Sequence, residues 1–538
     1  MDNSLIATRT LKIAVTVILI ALVFTYTLTH STLITASPDS VRFMHFWQVN
    51  ADQLKSEGVN VWSTLKMIFI SLRSSNAYDM NRGRLVQYCM YGVDGLTRWL
   101  LPTPMINVWM IAILILNSAL IAWISTSALI DQNVRVNLFC QGWVVLVTSS
   151  LVLSPAILLI MYGKYMWVTF VLAFFVATRT IVKICWLVAA AFSDEIGLLA
   201  TMVVVFLSTI RLALVYRKEN SSSLGSLVRC FINASLFGIF ASLVVFFVYY
   251  GVLSVIFGTG AIKSQGYIVA VGKKIFNIGA VKPQGLAIST GKALSQGREP
   301  VWWTIVNGLL WRAETLVIGT SSENRILTTI IGSGVLVVIL TGVSARFRAI
   351  MKGDSGGCRV FNDWVRGWLN DIRGFFYTFW ILMLILIVFV ILRGGAGDFT
   401  HYSYPAVATL AVLLFTVLME LFPGRLVNIA LMSILVIHLA LLPRAVATAD
   451  ASLGRYLFPD GTVSREDIQA INRSVLELKL KKDSAFFDAF NNGQEIDFSG
   501  TWFYSRIRGH LDASGPYFPI QGTVKVFLWP NKIRSIDN

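Results

Sequence analysis

The chain reads as an all-α polytopic membrane protein that ends in a small α+β domain. Three observations carry that reading. Hydrophobic residues make up 55% of the composition and charged residues 14%, a balance a soluble domain of this size has no way to hide from water. Eleven apolar runs are separated by short polar turns or by long polar segments. The last 96 residues, 443 to 538, lose the apolar character and regain the patterning of a water-soluble fold.

The first run, Leu11 to about Leu33, is long enough to cross ~30 Å of hydrocarbon at about 1.5 Å per residue. No small-residue cleavage site closes it as a secretory signal would. Further runs lie near 105 to 128, 138 to 160, 165 to 178, 183 to 193, 196 to 216, 230 to 256, 326 to 345, 374 to 392, 405 to 422 and 426 to 442. The fifth has the shortest core, and residues 165 to 193 could also form one helix. Lys and Arg concentrate in cytoplasmic loops. With the N-terminus inside, those loops hold Arg135, Arg179, Lys183, Arg217, Lys218, Arg229 and the connector from Arg346 to Arg373. The tail then lies outside. Residues 257 to 325 run against the rule as an external loop with Lys263, Lys273, Lys274, Lys282, Lys292 and Arg298, but long loops translocate regardless of charge.

The organisation is a membrane module, 1 to 442, with external loops 35 to 103 and 257 to 325, followed by the external domain 443 to 538. In that domain Ser464 caps a helix beginning at Arg465, and Asp483 restarts a second one that ends at Asn491-Asn492-Gly493. Trp502 to Tyr504 and Thr523 to Trp529 alternate as strands do. The net charge of +16 is spread over loops and comes with no nucleic-acid recognition motif, so it suits anionic lipid or a phosphate-bearing substrate. The five cysteines, Cys89, Cys140, Cys185, Cys230 and Cys358, form neither a disulfide framework nor a metal-ligand spacing. No cofactor is required by the sequence, and a divalent metal is not indicated.

Three clusters of polar residues sit at helix ends. Asp39 follows the first run closely, which places a carboxylate at the membrane surface or simply in a Ser-Pro-Asp turn. In the same loop, after an interfacial apolar stretch from Trp62 to Leu72, comes Tyr78-Asp79-Met80-Asn81-Arg82-Gly83-Arg84. Two guanidinium groups flanking a glycine match a phosphate in geometry and charge, and a solvated turn is the alternative. Second, Ser193-Asp194-Glu195 separates two apolar runs; the acidic pair is either a functional group at the membrane edge or the N-cap of the next helix. Third, Asp398 to Pro405 includes His401, able to titrate or to donate to a phosphate, and Tyr402 and Tyr404, which suit an interfacial belt. His438, inside an apolar run, reads as a packed polar residue. Lys273 and Lys274 lie in a Gly-rich basic segment that leads to Trp302, Trp303, Trp311, Arg312 and Glu314. That segment could meet a lipid-linked phosphate or anionic lipid in general.

Many spans, an acidic residue soon after the first, interfacial helices in the first external loop and an external C-terminal domain resemble the GT-C class of integral-membrane glycosyltransferases. Within it, Asp39 followed by Arg82-Gly83-Arg84 and a long apolar run is similar to the bacterial and phage enzymes that decorate O-antigen, and to relatives that modify pilins or cell-wall glycans. That class commonly has a paired acid after the first helix; here Asp39 is followed by Ser40.

The resemblance implies a bacterial inner membrane, a periplasmic tail, a polyprenyl-phosphate sugar as donor and an outward-facing glycan or protein as acceptor. It implies Asp39 as base, with Asp194 and Glu195 as further acid-base groups. Arg82, Arg84, His401, Lys273 and Lys274 would meet the donor phosphate, and Asp79, Tyr402, Tyr404 and Arg312 the substrate. Two rival functions remain. An O-antigen polymerase or ligase would use a glycan on a pyrophosphate, and a transporter or flippase would line mid-membrane helices with polar groups.

Overall fold

The computed structural model describes residues 3–30, 62, 85–87, 89–90, 93, 108–127, 129–153, 162–216, 224–257, 301–320, 324–351, 372–394 and 400–447. Twelve helices of eight residues or more make up nearly all of them: α1 (Asn3–His30), α2 (Val108–Thr126), α3 (Gln132–Leu153), α4 (Tyr162–Val176), α5 (Thr180–Ala191), α6 (Glu195–Tyr216), α7 (Leu224–Phe257), α8 (Val301–Ile318), α9 (Arg325–Met351), α10 (Ile372–Gly394), α11 (Thr400–Leu421) and α12 (Gly424–Ala440). No strand occurs among the described residues. The tail domain expected over 443 to 538 lies outside them except for a helical stretch that ends at residue 447.

Every apolar run falls on a helix. Six of the helices contain stretches long and apolar enough to cross a membrane: Ala7–Thr27, Trp109–Thr126, Glu195–Ala213, Arg229–Leu253, Arg325–Ala345 and Tyr404–Leu421. Tyr162–Val176, Thr180–Ala191, Gly374–Ile387 and Gly424–Ala440 are shorter, so helix length by itself does not carry the expectation of eleven crossings. The fifth run is a separate helix: α4 stops at Val176, and α5 begins at Thr180 and returns along it.

Side chains one or two residues before a helix satisfy its free N–H groups. Asp131 Oδ1 accepts from Asn133 N at 2.8 Å, Asp194 Oδ1 from Ile196 N at 3.1 Å and Asn324 Oδ1 from Ile326 N at 3.0 Å. Helix α8 ends in a left-handed Gly319 (φ 72°) whose N–H bonds Thr315 O at 2.9 Å, a conformation that suits glycine.

Cross-helix contacts define the directions. Arg9 bonds Asn133, Gln141 bonds Asn428 at 2.9 Å and Thr148 meets His438 at 2.6 Å, so α1, α3 and α12 run the same way. Asn117 with Tyr404 and Ser125 with Thr416 show α2 and α11 parallel to each other, and Trp143 with Ile115 and Phe139 with Trp123 set α2 antiparallel to α3. One end of the bundle therefore collects Arg9, Lys12, Arg135, Arg179, Lys183, Arg211, Arg229 and Arg425. The far end holds Lys164, Asp194, Glu195, Arg325 and Arg444.

Helix α8 occupies part of the segment read as an external loop. It packs antiparallel to α9, with Leu310 against Gly332 and Thr328 Oγ1 donating to Glu314 Oε2 at 2.9 Å. It runs in the same direction as α7, which is antiparallel to α6 through Ser242 and Met202. At the centre, α11 touches α2, α3, α4, α8, α9, α10 and α12, and 83% of its spanning stretch is buried against 22% for α7 and α9. The outer faces of α7 and α9 expose rows of Leu, Ile and Phe, including Phe240, Phe247, Ile330 and Leu340, which is how helices meet lipid and not water.

Candidate functional site at the far end of the bundle

Helix α5 ends in a tight turn, with Ser193 N bonded to Ala190 O at 3.1 Å and Ser193 Oγ to Ala189 O at 2.7 Å. Asp194 follows with two tasks. Its Oδ1 and its carbonyl cap α6 through Ile196 N and Leu198 N, both at 3.1 Å, while Oδ2 lies 3.5 Å from Lys164 Nζ. Both side chains of this ion pair are enclosed, at 3% exposure for Lys164 and 0% for Asp194. Two buried charges each lose hydration, and their mutual attraction offsets that loss only while both are present. Glu195 is half-buried in the first turn of α6, where the helix dipole favours a carboxylate. The cap reading of the acidic pair is therefore realised at Asp194, whose second carboxylate oxygen lies in a buried ion pair.

Glycines let the backbones meet here. A Cβ at Gly163 would lie 2.1 Å from Ser193 O and 2.9 Å from Gln87 Oε1; one at Gly197 would lie 2.1 Å from Ala190 O and 2.8 Å from Trp167 Cβ. Only residues without side chains let α4, α5 and α6 approach this closely. Onto this platform comes the end of the first long loop. Residues 85–87, 89 and 90 are helical, Val86 N–H donates to Phe192 O at 3.0 Å, and Gln87 is buried. Val86 stands two positions after Arg84 in the sequence, so the loop that bears the arginines is tied to the turn that bears the acids.

The third cluster reaches the same region through Tyr404. Asn117 Nδ2 donates to Tyr404 Oη at 2.9 Å and to Tyr165 O at 3.1 Å, and Asn117 Oδ1 accepts from Thr169 Oγ1 at 2.6 Å. The Tyr165 and Tyr404 rings lie 4.3 Å apart, next in sequence to Lys164. Tyr404 is thus a core residue, 2% exposed, and not part of an interfacial belt.

A second group of buried polar residues surrounds α8. Arg312 and Glu314 are 2% and 0% exposed, and the guanidinium folds back over Gly308, where a Cβ would lie 2.9 Å from its Nη1. His438 packs as the sequence suggests, with Nδ1 at 2.6 Å from Thr148 Oγ1 and the Gly319 backbone against its ring.

Asp39, Asp79, Arg82, Arg84, Lys273 and Lys274 lie outside the described residues. His401 and Tyr402 belong to the first turn of α11, with side chains outside the description. Lys164 was missed by sequence reasoning because the apolar run was started at residue 165. Its signal was a lone lysine inside Met161-Tyr162-Gly163-Lys164-Tyr165-Met166-Trp167, since a charge within an apolar helix demands a partner. Gln87 and Asn117 had no comparable signal.

No group of three or more His, Cys, Asp or Glu suited to a metal occurs among the described residues. Compared with known proteins, the chain matches no family model, no curated protein and no solved structure.

Proposed function

We propose that the chain is a membrane glycosyltransferase that moves a single sugar from a polyprenyl-phosphate donor to an outward-facing glycan or protein. In this reading the basic end of the bundle faces the cytoplasm of a bacterial inner membrane, as the bias of Arg and Lys favours, and the far end faces outward. The observation that carries the proposal is the Val86 N–H to Phe192 O hydrogen bond, which joins the loop of Asp39, Arg82 and Arg84 to the turn of Asp194 and Glu195 at that outward end.

The chemistry breaks the bond between the sugar's anomeric carbon and the phosphate oxygen and forms one to the acceptor oxygen. Asp39 takes the acceptor proton, and the polyprenyl phosphate leaves with the bonding pair, its charge met by Arg82, Arg84, His401 and, from the second long segment, Lys273 and Lys274. Glu195 is the alternative base, because Asp194 is engaged by Lys164 and by the N-terminus of α6. Asp79, Tyr402 and Arg312 belong to substrate recognition in this scheme, and Tyr404 supports it from the core.

The test is transfer by the purified protein in nanodiscs supplied with labelled polyprenyl-phosphate sugars. Asp39→Asn is expected to abolish transfer while the unfolding temperature stays unchanged; full activity in that variant removes the base assignment. A transporter or flippase is the second reading, favoured by Arg312, Glu314 and His438 buried within helices. It predicts flux of a lipid-linked or soluble substrate across liposomes, lost in Arg312→Gln, with no covalent change to the substrate.

A further inference from the structure

We propose that the buried Lys164–Asp194 pair is a positioning device that holds residues 85–87, 89 and 90, at the end of the first long loop, against the far end of the bundle. In its bearing on sugar transfer this rests on the reading above; as a statement about the loop it stands alone.

The geometry runs through one platform. Lys164 follows Gly163, and Gly163 is pressed against Ser193 O with Gln87 Oε1 crowding the same face. Asp194 follows Ser193, and Phe192 O receives the Val86 N–H. The ion pair therefore bridges, residue for residue, the two strips of backbone on which Val86 and Gln87 rest. Removing the Lys164 charge takes a cation from a carboxylate that is 0% exposed, which drives the turn to open toward water or to take up a proton. Either change displaces Phe192 and Ser193 and removes the seat of the loop. Val86 and Met90 pack against the main core, so apolar contact and the pair together hold the loop end.

A native reporter sits on the held segment. Cys89 is exposed enough to meet a reagent, yet burial pushes its thiol above the ordinary value, which lowers its thiolate fraction. Release of the segment lets the thiol ionise more readily and react faster. The experiment measures maleimide labelling of Cys89, located by peptide mass spectrometry, on the full-length chain in nanodiscs, with buried Cys140 as the fold control.

Lys164→Met is expected to raise the Cys89 rate by more than about tenfold, with Cys140 still protected. Lys164→Arg is expected to stay within about twofold of wild type, because it keeps the charge. Lys164→Met combined with Asp194→Asn is expected to fall between them, since no lone charge remains. Gln87→Ala leaves the pair intact and tests the same seat without a buried charge; it too is expected to raise the Cys89 rate. Where transfer is measurable, Lys164→Met should raise the donor KM more than it lowers kcat. A Cys89 rate unchanged in Lys164→Met overturns the proposal whatever Gln87→Ala does, as does parallel exposure of Cys140. If the wild type transfers no sugar, the functional reading fails while the Cys89 result still decides this one.

Discussion

At Gly163, a single methyl group separates two outcomes. A Cβ there would meet Ser193 O at 2.1 Å, closer than any real contact, and neither backbone can yield without moving the Lys164–Asp194 pair. Gly163→Ala is expected to destabilise by about 1–3 kcal/mol or more, the usual cost of overpacking, read as a fall in unfolding temperature in detergent. Gly334, on the face of α9 where a Cβ meets nothing within 4 Å, is the control; Gly334→Ala is expected to be neutral or stabilising by up to about 1 kcal/mol. The Asn117 network makes a second residue-scale prediction. Tyr404→Phe leaves the amide bonded to Tyr165 O and should cost about 1 kcal/mol, whereas Asn117→Leu removes the partner of the Tyr404 hydroxyl and leaves Thr169 Oγ1 only its 3.4 Å bond to Tyr165 O, and should cost more by the same thermal measurement. Neither position could be ranked from the sequence, because a glycine or asparagine in an apolar run looks alike whether it faces lipid or a neighbouring backbone.

Among the helices, α8 departs furthest from the sequence reading. Val301 to Ile318 contains Arg312, Glu314 and Asn307, polar enough to be read as part of a loop beside the membrane. Hydropathy scores each residue as if it faced lipid. It has no means of knowing that Glu314 accepts a hydrogen bond from Thr328 or that Arg312 folds over Gly308. Antiparallel to α9 and about 27 Å long at 1.5 Å per residue, α8 places its first turn toward the basic end and its last turn toward the far end. Cysteines introduced at Val301 and at Asn324, the exposed turn after α8, should therefore react with an impermeant maleimide from opposite sides of sealed vesicles. Labelling of both from one side would mean that α8 does not pass through the bundle. The other helices fall on the apolar runs, and Asp131, Asp194 and Asn324 cap theirs through side-chain oxygens, but the division of residues 165 to 193 into α4 and α5 stayed open in the sequence.

At the scale of the whole molecule, burial divides the described helices into a centre and an outer ring with exposed apolar faces. Phe379 is fully buried among aromatic neighbours, Phe175 at 5.5 Å and Trp380 at 5.1 Å, and Phe379→Ala is expected to cost about 3–5 kcal/mol. Phe247, 68% exposed on α7, should tolerate Leu within about 0.5 kcal/mol, the same thermal assay deciding both. The sequence by itself determined the helical class, the positions of the apolar runs and the charge difference between the two ends, because apolar content, caps and basic turns act over a few neighbouring residues. It also singled out Asp194 as a residue with a role, though not which one. Only the tertiary structure decided that Lys164 is its partner, that Val86 and Gln87 rest on its turn, and that α8 lies inside the bundle. Those contacts join residues between 14 and more than a hundred positions apart, and an ion pair or a glycine crossing depends on distance in space, which no local pattern of hydropathy encodes.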